Sequence, residues 1–226
     1  MLKRRPAVQA LVPVKSLADS KLRLAGLLTP AERARFTLLM LDDVLANLAA
    51  TAEISAVAVV SSDSDVLKLA RQRNTRVLPQ PFERESAADP LNNALMFAAK
   101  QLGEAGAVMI VPGDVPLVGA DDYAAAIKGW LAGVVAVRAH DGGTNGLLSL
   151  GSDAMPYRFG SGSFEAHRAA AQALGLPFHA IEHPVWSRDI DSPDDVAWLA
   201  QYGDRCSSAD FARQLLRAKD LLKRTA

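Results

Sequence analysis

Residues 107–117 read Ala107-Val-Met-Ile-Val-Pro-Gly-Asp-Val-Pro-Leu117, an apolar run that ends abruptly in a proline, a glycine and a carboxylate. A short apolar run of this kind is typical of a strand that is buried on both faces of a parallel sheet. Comparable runs occupy 8–14, 54–60, 76–78, 134–137, 147–150 and 178–181. Stretches with helical spacing of apolar residues lie between most of these runs. This alternation predicts an α/β fold with a mainly parallel, mixed sheet and helices on both faces.

The clearest helix signal is Thr29-Pro30-Ala31-Glu32, where a threonine cap, a proline and a glutamate open a helix. Apolar residues at 36, 39, 40, 44 and 48 continue it with a helical period. Further helices are predicted at 65–73, 90–102, 120–131, 163–174, 192–201 and 208–224. Because no repeat or linker interrupts the pattern, the chain 1–226 is predicted to form a single doubly wound domain, with a C-terminal helix in 204–226.

The composition excludes several classes of protein. Half of the 226 residues are hydrophobic, which excludes a disordered chain, and 25 Lys and Arg balance 25 Asp and Glu. Without a basic excess, we expect no nucleic-acid partner. The single cysteine, Cys206, excludes an intramolecular disulfide framework and a cysteine-built zinc site. The N-terminal apolar run is too short for a signal peptide or a membrane span, so we expect a cytoplasmic protein without a membrane partner.

Polar or glycine-rich sequence follows four of the predicted strands. In an open parallel sheet, ligands bind outside the carboxyl ends of the strands, so polar groups at these ends indicate a binding site. The four segments are Pro13-Val-Lys15, Ser61-Ser-Asp63, Pro112-Gly-Asp114 and Arg188-Asp-Ile-Asp191. The polar stretch 79–89 is a predicted active-site loop.

Three aspartates in these segments are candidate ligands of Mg²⁺, which prefers one or two carboxylates together with phosphate oxygens. Asp114 follows six apolar or small residues, although an aspartate here could equally be a turn or cap residue before Pro116. Asp189 and Asp191 point to the same side if their segment is extended, and two like charges on one side favour a bound cation. Asp191 could instead assist the start of the helix at Ser192.

Three basic residues, Lys15, Lys21 and Arg23, lie between the first strand and the helix at Pro30. In that position they would neutralise a polyphosphate, the lysines as point charges and the arginine as a bidentate fork. The alternative is a solvated surface loop. The chain has neither the G-x-x-x-x-G-K-[ST] phosphate loop nor a G-x-G-x-x-G after the first strand, which argues against a dinucleotide-dependent redox enzyme.

Two glycine-rich turns, Gly142-Gly-Thr-Asn145 and Phe159-Gly-Ser-Gly-Ser-Phe164, supply bare backbone N–H groups and hydroxyls. Such groups bind phosphate or carboxylate, especially where Ser163 lies at a helix N-terminus. Both could also be ordinary turns that need a positive φ. His167 follows Ser163 by four residues on the same helical face, where it would contact the same anion or pack as a capping histidine.

Taken in order, these segments resemble the CofC/FbiD guanylyltransferases, a family of the Rossmann-like nucleotidyltransferase fold that acts in the biosynthesis of coenzyme F-420. The similarity covers about residues 8–199. The matching motifs are Pro13-Val-Lys15, Lys21-Leu-Arg23, Glu32-Arg33, Met40-Leu-Asp-Asp-Val44, Ser62-Asp63, Leu91-Asn92, Pro112-Gly-Asp-Val-Pro-Leu117, Gly142-Gly-Thr-Asn145, Phe159-Gly and Asp189-Ile-Asp191. Each motif is weak alone, whereas the ordered set is specific.

The resemblance implies GTP as the nucleotide donor, Mg²⁺ as cofactor, and 3-phospho-D-glycerate, phosphoenolpyruvate or 2-phospho-L-lactate as the acceptor. The residues implied to hold the metal are Asp114, Asp189 and Asp191. Those implied to act in catalysis are Lys15, Lys21, Arg23 and Asp114. The residues implied to surround the nucleotide are Pro13, Val14, Lys15, Ser61, Asp63 and Asn92. Those implied to bind the acceptor are Thr144, Gly160 and Ser163.

Two other functions fit the same residues. A nucleotidyltransferase for another acceptor, such as a sugar phosphate or a pterin, would need the same carboxylates and basic side chains. A non-catalytic phospholigand-binding module would share the fold, but the presence of all three candidate metal ligands disfavours it. The tail after Gly203 is expected to pack on the domain or on a second subunit of a homodimer.

Overall fold

The fold is one sheet of seven strands flanked by helices. It is described by a computed structural model, which covers residues 6–79, 89–102, 106–151, 155–204 and 206–225. The strands are β1 (Val8–Pro13), β2 (Ile54–Ser61), β3 (Arg76–Pro79), β4 (Ala107–Ile110), β5 (Val134–Arg138), β6 (Thr144–Leu150) and β7 (Phe178–Ile181). The helices are α1 (Pro30–Ala50), α2 (Ser64–Gln72), α3 (Pro90–Leu102), α4 (Ala120–Gly129), α5 (Ser163–Ala173), α6 (Pro193–Tyr202) and α7 (Ser207–Thr225). Two short 3-10 turns, Leu17–Asp19 and Leu22–Leu24, lie between β1 and α1.

One strand of the sheet runs against the others. The strand order is β3-β2-β1-β4-β6-β5-β7. The first four strands are parallel and β7 is parallel to β5, whereas β6 is antiparallel to both of its neighbours, β4 and β5. β6 therefore begins at the edge of the sheet where the other strands end. The predicted α/β fold with a mainly parallel, mixed sheet is confirmed.

The main difference from the prediction also concerns β6, which begins at Thr144 and not at Leu147. The glycine and polar residues at 144–146 favour a turn locally, but Arg138 pairs with Thr144 in the ladder. Gly146 is required inside this strand, because a Cβ there would lie 2.9 Å from the indole of Trp186. Tertiary pairing thus overrides the local preference. The other element ends lie within a residue or two of the prediction.

Side chains of the strands alternate between two buried layers. In β1, Ala10 and Val12 belong to the apolar cluster under α1, α2 and α4, whereas Leu11 belongs to the cluster under α3 and α5. This is the two-residue period of a strand. Because both faces are covered by helices, the strand sequences are continuous apolar runs.

The C-terminal helix α7 packs on this same domain. A third buried cluster joins α1 to α6 and α7, and the ring of Phe36 stacks on that of Phe211 with 5.6 Å between centroids. The tail is therefore part of the core of the domain. None of the helices in the described ranges combines the length and the apolar character that a bilayer span requires.

Asp43, on α1, links that helix to the start of α7. Its carboxylate accepts hydrogen bonds from the backbone N–H groups of Ser207 (3.0 Å) and Ser208 (2.8 Å) and from the thiol of Cys206 (3.0 Å). The first N–H groups of a helix have no partner within the helix, so this carboxylate supplies the cap. Burial, and then the bond to Asp43, raise the pKa of the Cys206 thiol to about 11, so the thiol is not a nucleophile at neutral pH.

Replacing Asp43 with alanine is expected to lower the free energy of unfolding by about 2–3 kcal/mol, because hydrogen bonds to a charged cap are lost. Urea denaturation measures this loss. Asp42→Ala is the matched control, since the neighbouring Asp42 pairs with the half-exposed Arg73 and should contribute less than about 1 kcal/mol. An equally small loss at both positions would show that the cap does not hold α7.

Candidate active site

Three segments meet at the carboxyl edge of the sheet: the loop after β1, the loop after β4 and the segment after β7. The Ile190 N–H donates a hydrogen bond to the Asp114 carbonyl (3.0 Å), which joins the second segment to the third. Ile190 and Leu24 are fully buried in the cluster around α1, α6 and α7. These apolar anchors hold the backbone of the first and third segments, so that the charged residues beside them lie together.

Lys21 lies at the centre of this charged group. Its Nζ is 2.6 Å from Asp114 Oδ2 and 3.5 Å from Asp191 Oδ1, and its side chain is only 6% exposed. Burial by itself lowers the pKa of a lysine, but the carboxylates of Asp114, Asp191 and Asp189 outweigh it and raise the pKa of Lys21 above its ordinary value. The backbone φ of Lys21 is 51°, a left-handed conformation that is unusual for lysine and is enriched at functional sites.

The other two predicted basic residues lie further out. Arg23 is 77% exposed and donates from Nη1 to Asp191 Oδ2 at 2.9 Å. Lys15 is exposed just after β1, next to the half-buried Pro13 and Val14. Both cationic side chains can therefore move towards an anion without leaving a buried position.

Asp114 and Asp189 form a pair of carboxylates beside Lys21. Asp114 Oδ1 is buried and has no hydrogen-bond partner among the described residues. Burial, and then the charge of Asp114, raise the pKa of Asp189 above its ordinary value. Asp189 Oδ1 accepts a long hydrogen bond from Asn145 Nδ2 (3.3 Å), and the Nδ1 of His140 is 4.0 Å away.

This pair fits a divalent cation. Three carboxylates face two basic side chains here, an excess of negative charge that would repel a triphosphate. A cation would give Asp114 Oδ1 a partner and reduce its repulsion with Asp189. In the described ranges, no group of three or more acidic, histidine or cysteine side chains is arranged to hold a metal alone, and Asp191 is already paired with Lys21 and Arg23. Such a site suits Mg²⁺, which uses one or two carboxylates together with substrate oxygens.

Of Ser61 and Asp63, both predicted to surround the nucleotide, Asp63 holds the loop after β1. Asp63 Oδ2 accepts from the Leu17 N–H (2.9 Å), while Oδ1 accepts from the N–H groups of Asp65 and Val66 and caps α2. Ser61 is fully buried, and its Oγ accepts from the Asp63 N–H (3.1 Å). Backbone groups thus occupy both side chains, and their contact with a nucleotide stays a prediction.

The two glycine-rich turns come together at the starts of β6 and α5. Ser163 Oγ donates to Thr144 Oγ1 (3.0 Å), and Thr144 Oγ1 lies 3.1 Å from Nδ1 of His167. All three side chains are buried. Gly160 has a φ of 138°, which L side chains rarely adopt, and its Cα faces open space. Two buried hydroxyls and a bare backbone therefore lie together here without a fixed charge, and their contact with the acceptor stays a prediction.

Asn92, also predicted to contact the nucleotide, supports the second of these turns. Its Nδ2 donates to the Phe159 carbonyl (2.9 Å), and its Oδ1 accepts from the Phe159 N–H (2.8 Å). Nδ2 also donates to Asp89 Oδ2 (2.7 Å). The buried amide of Asn92 thus binds both the carbonyl and the N–H of Phe159. Asn92 therefore contacts the turn that is predicted to bind the acceptor.

Asn145 is a site residue that the sequence did not single out. It follows Thr144 in β6, so its side chain points to the opposite face and reaches Asp189, while its carbonyl accepts from Trp186 Nε1 (2.7 Å). Its place directly after Thr144 in the glycine-rich turn was the only signal in the sequence. Of the predicted active-site loop 79–89, residues 80–88 lie outside the described residues.

Comparison with known proteins identifies the family of the chain. The family described as "Guanylyl transferase CofC like" matches residues 8–223. The chain belongs to this family. It is therefore an enzyme, a nucleotidyltransferase. The match extends past Leu199, where we expected the resemblance to end, and includes most of α7.

Individual relatives agree with the family. The phosphoenolpyruvate guanylyltransferase of Roseiflexus sp. (strain RS-1) is 38% identical over 94% of this chain and 93% of its own length. The 2-phospho-L-lactate guanylyltransferase of Methanothermobacter thermautotrophicus is 32% identical over 91% of this chain and 90% of its own. Among solved structures, a nucleotidyl transferase from Methanothermobacter has a TM-score of 0.61 at 14% identity, covering 94% of this chain and 99% of its own. That structure confirms the predicted nucleotidyltransferase fold.

Replacing Asn92 with alanine is expected to lower the free energy of unfolding by about 2 kcal/mol, because both backbone groups of Phe159 lose their partner. Asn93→Ala is the control, since Asn93 is exposed on the same helix and should change stability by less than about 0.5 kcal/mol. Circular dichroism in urea measures both variants. If Asn92→Ala is as mild as its control, other contacts hold the turn.

Proposed function

We propose that the enzyme transfers GMP from GTP to phosphoenolpyruvate and releases pyrophosphate. The family is one of guanylyl transfer, and a relative with 38% identity is named for phosphoenolpyruvate. The structural observation that carries the proposal is the buried Lys21 paired with Asp114 and Asp191 at the same sheet edge as the neutral Thr144–Ser163 pair. The charged group around Lys21 suits a triphosphate with its cation. The Thr144–Ser163 pair suits a smaller anion, because it supplies hydrogen-bond donors without a fixed charge.

In the proposed reaction, an oxygen of the acceptor phosphate attacks the α-phosphorus of GTP. A new P–O bond forms, the bond from the α-phosphorus to the oxygen bridging the α- and β-phosphates breaks, and pyrophosphate leaves with the electron pair. Chemistry of this kind depends on positioning and charge stabilisation, so a covalent enzyme intermediate is not required. The protonated thiol of Cys206, at the start of α7, agrees with this route.

The basic residues would hold the triphosphate. Lys21 is charged and buried beside the carboxylates, so we assign it to the phosphate nearest the cation. The exposed Arg23 and Lys15 would bind the outer phosphates, the arginine through its fork of N–H groups. When GTP binds, its phosphates would replace the carboxylates as the partners of these basic side chains.

We further propose that Asp114 and Asp189 hold Mg²⁺, together with Asp191 as the resemblance implies. The ion would neutralise phosphate oxygens of the nucleotide and stabilise the charge that develops in the transition state. Asn145 would orient Asp189 through its amide. Asp191, which pairs with Lys21 and Arg23 in the absence of nucleotide, would become available to the ion once the triphosphate binds those two side chains.

The resemblance also supports a place for this reaction in coenzyme F-420 biosynthesis, in the cytoplasm. 2-Phospho-L-lactate is the second candidate acceptor, because a relative with 32% identity is named for it. 3-Phospho-D-glycerate has the same two anionic groups, a phosphate and a carboxylate, and would fit the same donors.

Mass spectrometry of the products tests the acceptor. The enzyme is incubated with GTP, Mg²⁺ and equal amounts of the three acids, and a parallel reaction replaces the acids with sugar phosphates. We expect the guanosine diphosphate adduct of enolpyruvate as the main product, with pyrophosphate in equal amount. An adduct of another acid alone would contradict the choice of acceptor, and a nucleotide sugar without any acid adduct would contradict the acceptor class.

Asp114→Asn is expected to remove nearly all turnover and leave the fold intact, because the amide cannot replace a carboxylate beside the cation. Initial rates at saturating Mg²⁺ measure the loss, and thermal melting checks the fold. Asp121→Asn, an exposed change in the first turn of α4, is the control and should keep full activity. More than about a tenth of the activity left in Asp114→Asn, a loss under about 1.4 kcal/mol, would show that the assignment is wrong.

A further inference from the structure

The hydrogen bonds around His167 determine which of its ring nitrogens carries the hydrogen. His167 is fully buried, and its Nε2 accepts the backbone N–H of Arg158 at 2.9 Å. An accepting Nε2 carries no hydrogen, so the neutral imidazole has its hydrogen on Nδ1. Nδ1 lies 3.1 Å from Thr144 Oγ1 and therefore faces that hydroxyl as a donor.

The surroundings of His167 keep the ring neutral. Burial first, and then the guanidinium of Arg158, lower its pKa to about 4. The Ser163 carbonyl acts in the opposite direction, because an acceptor of this kind favours a hydrogen on the ring. The ring of Phe159 covers another side, in edge contact with 4.8 Å between centroids.

The direction of the bond from Nδ1 decides what the Thr144–Ser163 pair can offer a ligand. Thr144 Oγ1 accepts from Nδ1 and from Ser163 Oγ, so the hydrogen of the Thr144 hydroxyl is left to donate elsewhere. Reversing the bond between the two hydroxyls leaves the Ser163 hydrogen instead. If Nδ1 were an acceptor, both hydroxyl hydrogens would be used within the chain, and the pair would present lone pairs that repel an anion.

We propose that His167 is a positioning residue that makes the Thr144–Ser163 pair a hydrogen-bond donor to an anionic group of the acceptor. Both of its ring nitrogens are engaged within the chain, so it acts through Thr144 and does not touch the substrate. A neutral imidazole performs this role without leaving a buried charge unpaired when the acceptor is absent. The inference rests on the proposed function only in taking the acceptor as the anion bound here.

The first test is the tautomer of His167 in the unmodified protein. The chain has four histidines, so long-range ¹H–¹⁵N spectra of histidine-labelled protein can be assigned by substituting His140, His179 and His183 in turn. We expect a hydrogen on Nδ1 and none on Nε2, unchanged between about pH 7.5 and about pH 5.5. A hydrogen on Nε2, or a doubly protonated ring in that range, would overturn the proposal.

The second test is a double-mutant cycle of His167→Leu and Thr144→Val, measured by steady-state kinetics with the acid that the enzyme turns over. Each single change should raise KM for the acid about tenfold, while kcat and KM for GTP change less than about threefold. The double variant should have the same KM for the acid as Thr144→Val alone, because His167 acts through Thr144. His179→Leu, an exposed position on β7, is the matched control and should behave as the unmodified enzyme.

If the two increases in KM for the acid multiply in the double variant, or if KM for GTP rises equally, His167 has only a structural role. The two proposals also fail separately. If the unmodified enzyme turns over none of the three acids, the proposed acceptor class is wrong, and the tautomer measurement still decides the role of His167.

Discussion

The ammonium of Lys21 lies almost out of solvent between Asp114 and Asp191, and much of the structure serves to keep it paired. Removing an ammonium from water costs several kcal/mol unless carboxylates stay within reach. Asp114 is fixed by β4, and Asp191 is fixed by the buried Ile190, whose N–H binds the Asp114 carbonyl. Ile190 packs in the cluster formed with α1, α6 and α7. The C-terminal helix, far from the site in sequence, therefore supports the charged group.

The reversed strand β6 divides the site into two parts. Because it alone begins where the other strands end, its first residues join the loops at the carboxyl edge. Thr144 faces Ser163 and His167, and the next residue, Asn145, faces Asp189. One dipeptide thus connects a neutral part, which contains the Thr144 and Ser163 hydroxyls, to a charged part, which contains Lys21 and the aspartates.

Several polar residues near the site bind backbone groups. Asp63 caps α2 and holds the loop that leads to Lys21, and Asn92 binds the backbone of Phe159. Carboxylates and amides at loop and helix starts are drawn to unpaired N–H groups, because leaving those groups unsatisfied is costly. Such residues in a motif therefore preserve the shape of a site.

The amino-acid sequence by itself determined the alternation of strands and helices, since burial on both faces demands apolar runs, and it showed which strand ends carry polar or glycine-rich residues. It also singled out Asp114, Lys21, Thr144 and Ser163, because residue type and position relative to a predicted strand or helix can be read from the local sequence, and the structure brings all four to the same edge of the sheet. Only the tertiary structure decided that β6 begins at Thr144, that Asn92 and Asp63 are held by backbone, and that His167 is buried with both ring nitrogens bonded. These features depend on partners distant in the chain, such as Arg138 for Thr144 and Phe159 for Asn92, and pairing across such distances leaves no periodic trace in the sequence.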